Sequence, residues 1–532
     1  MKLDDIRRQI DKVDDEISKL YLKRMQLISE ITDCKKQNAV PVEDKGREED
    51  VLRRITTGVD EENKKYIISL YEKIFHDSKQ YQSEHKLNNG GLNNDCDKKR
   101  RACLIGKNLS YSFSKSIHEK MSTNYSVVEV SEDKLEDFIK TNGYDFFNVT
   151  IPYKQKIMDY LDGVDESAKA IGCINTVVNS DGKKIGYNTD VCGLNYLFTR
   201  NGVSIRDKNV IILGSGATSE TARAVCEKMH AKKITVVGRK KENNYSNIDK
   251  LTDTQILINT TPVGTYPDCN GQIVDLKIFP NLQFVADVVY NPLRSRLVLQ
   301  AENLGIACSG GLAMLVCQAV KAEQIAYNKN KNFPYKENKS ELTNGDEIYG
   351  IADKEIVEDI IKKIYGEKQN IALIGMPSCG KTTIGKILAE KLNRPLVDID
   401  DEIFSVRKRS ASEIILTDGE EAFRQIEKQI IAEEATKFGV IIATGGGSVL
   451  LKENVAALKQ NSFVVYLERD LALLDLNDRP LSIKNGVNAL YEQRKDKYVE
   501  ACDKKVKNDK SPDDVAEEII RLYEENTGNK RT

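Results

Sequence analysis

The tightest constraint on the fold lies two thirds of the way along the chain, where NIALI (370–374) is followed by GMPSCGKTT (375–383) and then by a helical pattern. The nine residues satisfy GxxxxGK[ST], and an apolar run before them with a helix after them is the setting in which that pattern cradles phosphate. Backbone N–H groups of the loop and of the helix start surround the phosphates, a lysine reaches the outer ones, and a hydroxyl ligates Mg2+. Gly375, Ser378, Cys379, Gly380, Lys381, Thr382 and Thr383 are therefore the expected nucleotide contacts, with Lys381 on the β and γ phosphates and Thr382 on the metal. A strand feeding such a loop belongs to a parallel sheet covered by helices. The loop leaves open which molecule accepts the phosphate.

One such domain does not fill 532 residues, a length that at about 150 residues per domain predicts three or four. Two stretches lose hydrophobic periodicity and fill with Asn, Gly and charge, NNGGLNNDCDKKR from Asn88 and NKNKNFPYKENKSELTNGDE from Asn328, and these read as linkers. The expected divisions are a helical block at 1–87, a linker at 88–100, an alternating α/β block at 101–327, a linker with a lead-in helix at 328–367, and a second α/β block at 368–532. Lys+Arg 80 nearly balances Asp+Glu 82, so no nucleic-acid or membrane partner is implied. The eleven cysteines form no CxxC pair, the opening MKLDDIRRQIDKVDDE lacks a signal core, and no apolar run is long enough to span a bilayer. A cytoplasmic protein with free thiols is expected.

In the first block Leu3, Ile6, Ile10, Val13, Ile17, Leu20, Leu27 and Ile31 follow alternating three- and four-residue steps, and Arg24 takes the step missing from that series. A charge in an apolar seam is costly unless paired, which leaves two readings: a residue that sets register, or a cation awaiting an anionic ligand. Arg7, Arg24, Lys35, Asp44, Arg47, Glu48, Ser78 and Gln82 together stand in an order and spacing that resembles the all-helical chorismate mutases over residues 1–85. The resemblance implies chorismate as substrate, its carboxylates met by Arg7, Arg24 and Arg47, its ether oxygen by Lys35 and Gln82 and its hydroxyl by Glu48, with Asp44 and Ser78 also at the site. It implies a homodimer in which Arg7 crosses from the partner chain. A pericyclic rearrangement moves no proton, so cations that compact the dianion and donors that offset charge on the breaking C–O bond are what it needs.

In the middle block VIILGSGATSETA, from Val210, places Gly214, Gly216 and Ala217 between an apolar strand and a helix, as dinucleotide-binding units do. The next strand, KITVVG, runs into Arg239, Lys240 and Lys241, cations where an NAD enzyme carries an acid, so Arg239 and Lys240 favour the 2′-phosphate of NADP. Around this unit stand SYSFSKSIH, NVTIPYK, GCINT, GYNTDVCG, NTTPVGTYP, DVVYNPL and GGLAMLVCQA, an ordered set that resembles shikimate dehydrogenase from about 101 to 327. The resemblance implies that Lys154 and Asp190 handle the proton while hydride passes between NADPH and the C3 carbonyl of 3-dehydroshikimate. It assigns Ser112, Ser114, Thr150, Asn175, Tyr290 and Gln318 to the substrate. Lys115 departs from the family pattern, which often has proline after the second serine.

In the last block DIDDE contributes Asp398 and Asp400, EEAFRQIE contributes Arg424 and Glu427, TGGGS contributes Gly445, Gly446 and Gly447, and RKDKY contributes Arg494. With the phosphate loop, their order resembles shikimate kinase over 370–525 and implies ATP, Mg2+ and shikimate as ligands. Asp400 then binds the ring hydroxyl, Arg424 and Arg494 the carboxylate, the glycines approach the ring, and Asp398 acts on Mg2+. Arg479 of LNDRPL matches the lid arginine that covers transferring charge, in a lid that looks short.

The expected architecture is thus multidomain: an all-α N-terminal domain, an α/β substrate domain with a Rossmann NADP domain, and an α/β P-loop kinase. The expected function is three reactions of aromatic amino acid biosynthesis. The alternative keeps the first domain as a dimerising chorismate or prephenate sensor.

Overall fold

The computed structural model describes residues 45–60, 100–328, 352–474 and 486–529, with scattered positions between 13 and 78. The chain forms two compact units, Met1–Lys98 and Lys99–Thr532. No helix among the described residues is long and apolar enough to cross a membrane.

The first unit is helical at every described position up to Thr56, and Lys45–Thr56 ends with Arg53 and Arg54 where the helix dipole favours cations. The seam splits in an informative way. Ile28 is buried and Arg24 half-buried, whereas Val13, Leu20 and Leu27 are 53%, 67% and 50% exposed. Arg24 and Ile28, four apart, share the inward face of one helical turn, and the described seam positions Val13, Leu20 and Leu27 lie outside it.

Among the described residues the second unit holds three sheets. In the first, β1 (Arg101–Gly106), β2 (Asn124–Glu129), β3 (Phe146–Val149), β4 (Gly163–Val164), β5 (Thr176–Ser180) and β6 (Lys183–Tyr187) run in the order β2-β1-β3-β5-β6-β4. β1 is buried from Ala102 onward, which is why it reads as the continuous apolar run ACLI. β5 and β6 are joined by Asp181 and Gly182 at φ 52° and 81°, the two-residue turn that an Asp-Gly pair favours.

The second sheet is wholly parallel: β7 (Asn209–Leu213), β8 (Lys233–Val237), β9 (Ile256–Asn259), β10 (Phe284–Asp287) and β11 (Ala307–Ser309), in the order β11-β10-β9-β7-β8. The order reverses at β7, so the crevice beyond its carboxyl end is a ligand position. Helices Asp190–Arg200 and Leu312–Asn328 pack on one another and bring their first turns to the same crevice.

The third sheet is also parallel: β12 (Asn370–Ile374), β13 (Leu396–Asp398), β14 (Ile441–Ala443), β15 (Ser462–Glu468) and β16 (Lys504–Lys507), in the order β13-β14-β12-β15-β16. Its reversal point is β12, the strand that feeds the phosphate loop.

Helix Lys354–Lys368, which leads into β12, is started by the Asp353 carboxylate accepting from Glu355 and Ile356 N–H. Its buried Val357, Ile360, Ile361 and Ile364 keep helical spacing. They share a hydrophobic cluster with Cys192, Tyr196, Cys317 and Val320 of the middle module. Glu358 accepts from Arg200 Nε at 2.8 Å.

Candidate active sites

A cavity of about 210 Å³ opens between the first two sheets and is lined by Ser112, Ser114, Thr150, Lys154, Asn175, Asp190, Tyr290 and Gln318, all eight side chains that the sequence nominates for it. Lys154 Nζ stands 2.5 Å from Asp190 Oδ2, with the two side chains only 13% and 9% exposed. Asp190 begins helix Asp190–Arg200, where a negative charge is stabilised. Asn175 Nδ2 donates to Asp190 Oδ1 at 2.9 Å and to Gln318 Oε1 at 3.1 Å, while its Oδ1 accepts the Thr189 N–H at 2.7 Å. The result is one ammonium fixed on one carboxylate whose other oxygen is already satisfied, an arrangement that presents a proton at a defined atom. Ser112 Oγ donates to Ser114 Oγ at 3.1 Å, a pair of hydroxyls in the same cavity. Burial pushes the Tyr290 phenol up to about 12, against the hydrogen bond from Ser112, so it stays a neutral donor. Lys115 does not line the cavity and pairs with Glu119 at 3.7 Å on the surface.

At the carboxyl end of β7, Gly214 has φ 111°, and a Cβ there would stand 2.6 Å from Thr260 Oγ1, so only glycine allows the turn. Gly216 has open space around it, and helix Ala217–Lys228 starts directly behind. Arg239 and Lys240 are exposed just past β8. A helix start free to receive a pyrophosphate, with two cations beyond the adjacent strand, fits a phosphorylated dinucleotide.

In the third sheet's loop, Lys381 Nζ donates to Gly375 O at 3.0 Å and Met376 O at 2.9 Å. Thr382 Oγ1 donates to Asp398 Oδ2 at 2.6 Å, so the hydroxyl and carboxylate that suit Mg2+, a hard cation, already meet. Asp398 also caps helix Ile399–Arg407 through the Asp400 N–H. Ser378 adopts φ 61°, the left-handed region where glycine is unstrained. Cys379 is fully buried, so its thiol fills the loop rather than facing solvent.

Arg424 donates to Glu427 Oε2 at 2.7 Å and Arg494 to Gly446 O at 3.1 Å, and the Nε of each is buried without a hydrogen-bond partner. Such donors are costly to leave unmet, and both belong to the pair nominated for a carboxylate. A Cβ on Gly447 would collide with the Arg424 guanidinium, and one on Gly445 would lie 3.5 Å from Asp400 Oδ1. The TGGGS loop therefore lies directly on the arginine and beside the aspartate. Arg479 lies outside the described residues.

In the first unit Arg24 donates to Ser78 Oγ, which in turn donates to Ile74 O at 2.6 Å, so two nominated residues 54 positions apart meet. Desolvation by burial lowers the Arg24 pKa, against the nearby Tyr71 and Tyr21. Arg47 is exposed on helix Lys45–Thr56, which also carries Glu48. Arg7, Lys35, Asp44 and Gln82 lie outside the described residues.

The middle module decides the family. A shikimate dehydrogenase (NADP(+)) of Clostridium perfringens is 36% identical over 244 residues, which is 42% of this chain and 90% of the relative. The chain belongs to the shikimate dehydrogenase family. Another of that description, from Methanococcus maripaludis, is 36% identical over 252 residues, covering 42% of this chain and 89% of its own. Family models match three segments: chorismate mutase type II at 6–83, shikimate dehydrogenase substrate binding domain at 104–177 and shikimate kinase at 377–524. Among solved structures, a chorismate mutase/shikimate 5-dehydrogenase fusion protein from Clostridium acetobutylicum is 29% identical, covers 50% of this chain and 97% of its own, and has a TM-score of 0.43.

Further residues, to which the sequence assigns no role, support the dehydrogenase and kinase sites. Thr189 holds Asn175 in the dehydrogenase, with its hydroxyl 3.0 Å from Asn175 Nδ2. In the kinase module Glu427, fully buried, bridges Arg424 and the Ser448 hydroxyl, Asn508 Nδ2 holds Cys379 O at 2.7 Å, and Tyr498 donates to Gly446 O at 2.5 Å. Arg469 reaches the phosphate loop beside Gly380, with its Nε buried and unpartnered. Glu427 stands three residues after Arg424 on one helix and Tyr498 closes the RKDKY motif, whereas Asn508 and Arg469 carry no such signal.

Proposed function

We propose that the chain catalyses three reactions: NADPH-dependent reduction of 3-dehydroshikimate to shikimate, ATP-dependent 3-phosphorylation of shikimate, and rearrangement of chorismate to prephenate. The observation that carries the reading is the Lys154–Asp190 pair inside a cavity that also presents Ser112 and Ser114. Lys154 Nζ delivers a proton to the oxygen at C3 as the carbonyl is reduced, and Asp190 keeps the ammonium aimed. The two serine hydroxyls position the carboxylate, and Tyr290, Asn175, Gln318 and Thr150 hold the remaining polar groups. Gly214, Gly216, Ala217, Arg239 and Lys240 would hold NADPH, which supplies the two electrons.

In the kinase module Asp400 orients the ring hydroxyl and takes its proton, Arg424 and Arg494 clamp the carboxylate, and the backbone of Gly445, Gly446 and Gly447 closes on the ring. Gly375, Ser378, Cys379, Gly380, Lys381, Thr382 and Thr383 would cradle ATP, the phosphoryl donor, and Thr382 and Asp398 would hold Mg2+, which offsets phosphate charge. Arg479 is the lid arginine of this reading. In the mutase domain Arg7, Arg24, Asp44, Arg47, Glu48 and Ser78 bind chorismate, with Lys35 and Gln82 on the ether oxygen. Exposed Val13, Leu20 and Leu27 support a homodimer through that domain. The cytosol, where free thiols persist, suits such an enzyme.

Three assays on the purified full chain test the reading: chorismate disappearance, NADPH oxidation by 3-dehydroshikimate, and shikimate-dependent ADP release. Each activity that fails to appear removes the corresponding assignment.

A further inference from the structure

The dehydrogenase substrate loops do not end in solvent on their outer side; they end on the kinase module. Ser112 and Ser114 line the cavity, and Phe113 between them turns the other way, 2% exposed. Its ring lies 5.3 Å from that of Tyr290 within the dehydrogenase and 5.3 Å, edge to face at 82°, from that of Phe438 in the kinase module. Lys368 Nζ, at the end of the helix leading into β12, sits 5.3 Å from the Phe113 ring and 5.6 Å from the Phe438 ring.

The second substrate loop is held in the same way. After Tyr290 and Asn291, the Leu293 N–H donates to Asn461 Oδ1 at 2.9 Å and the Arg294 N–H to Gln460 O at 2.9 Å. The buried Arg294 guanidinium donates to Ser462 O at 2.7 Å and to Asp503 Oδ1 at 3.1 Å. Gln460 Nε2 returns a bond to Cys269 O at 2.7 Å. A buried guanidinium paired this way, on backbone carbonyl and carboxylate together, belongs to a fixed interface rather than a passing contact.

We infer that Phe438 and Asn461 of the kinase module are positioning residues for the dehydrogenase reaction, setting the Ser112–Ser114 and Tyr290–Asn291 loops that receive shikimate. The inference rests on the proposed dehydrogenase function. Both loops reach the substrate through one or two residues, and a displacement of about 1 Å at a binding group is enough to cost a large factor in turnover or affinity. The dinucleotide turn at Gly214 packs on Thr260 and Thr261 instead, so the effect falls on one substrate.

The test uses the full chain and NADP+-dependent oxidation of shikimate. Phe438→Ala raises KM for shikimate about tenfold, leaves KM for NADP+ unchanged, and leaves KM of the kinase for ATP unchanged as the measure of a folded partner. Phe438→Leu keeps apolar bulk and gives a smaller rise in the same direction, and it decides the matter if the alanine variant misfolds. Asn461→Ala, which removes the acceptor for Leu293, also raises KM for shikimate. An unaltered KM for shikimate in folded Phe438→Leu and Asn461→Ala chains overturns the inference. Absence of shikimate oxidation by the unsubstituted chain overturns the functional reading instead, so the two failures are distinct.

Discussion

Shikimate is the proposed ligand of two modules, and on that proposal the two would meet its carboxylate with different chemistry. The dehydrogenase offers the hydroxyls of Ser112 and Ser114, whereas the kinase module offers the guanidinium groups of Arg424 and Arg494. The neighbouring charges also differ. In the dehydrogenase Lys154 is already matched by Asp190 at 2.5 Å, and Lys107 also lines the cavity. In the kinase module the proposed carboxylate site would lie near Asp400 and Glu427, negative charge that the two guanidinium groups would offset.

The largest effect expected from breaking this contrast is at Lys154. Lys154→Ala lowers the rate of 3-dehydroshikimate reduction about 1,000-fold, the weight of a positioned proton donor, while NADPH affinity in a fluorescence titration stays constant; retained turnover would remove Lys154 from the proton path. Next comes Arg494→Ala, for which KM for shikimate in the kinase assay rises about 100-fold, as when a buried charge partner is lost. Arg494→Lys recovers little of it, because a point charge does not replace the planar fork. Ser112→Ala is milder, raising dehydrogenase KM for shikimate about fivefold, the worth of one neutral hydrogen bond. A loss comparable to that of Arg494→Ala would erase the distinction between the two sites. Ser378→Gly is the smallest: relief of the left-handed backbone changes stability by about 1 kcal/mol or less, read as a small rise in Tm without loss of ATP turnover.

Local patterns made much of this legible. The glycine turn after β7 and the phosphate loop after β12 each carry their conformation in a few adjacent residues. The nominated side chains of the dehydrogenase also converge on one cavity, because loops at the carboxyl ends of parallel strands face a common crevice. What escaped lies in contacts between distant segments. Phe113, inside SYSFSKSIH, meets Phe438 across 325 positions, and Phe438 stands in no motif. Arg294 in YNPLRS reads as one more charge near a turn, and only the fold reveals Asp503 and the Ser462 carbonyl around it. The first unit teaches the converse, since Leu20 and Leu27 fit a buried seam by spacing yet are exposed, while Arg24 and Ile28 face inward.

Helix Lys354–Lys368 and the Arg294 contacts carry a consequence for how the chain can be divided. Apolar side chains of that helix are buried against the dehydrogenase, and the guanidinium is locked in the kinase module. The peptide connection between residues 328 and 352 is therefore not what keeps the two catalysts together. A single proteolytic nick there is expected to leave two fragments that co-elute as one particle in size-exclusion chromatography and separate only in denaturant.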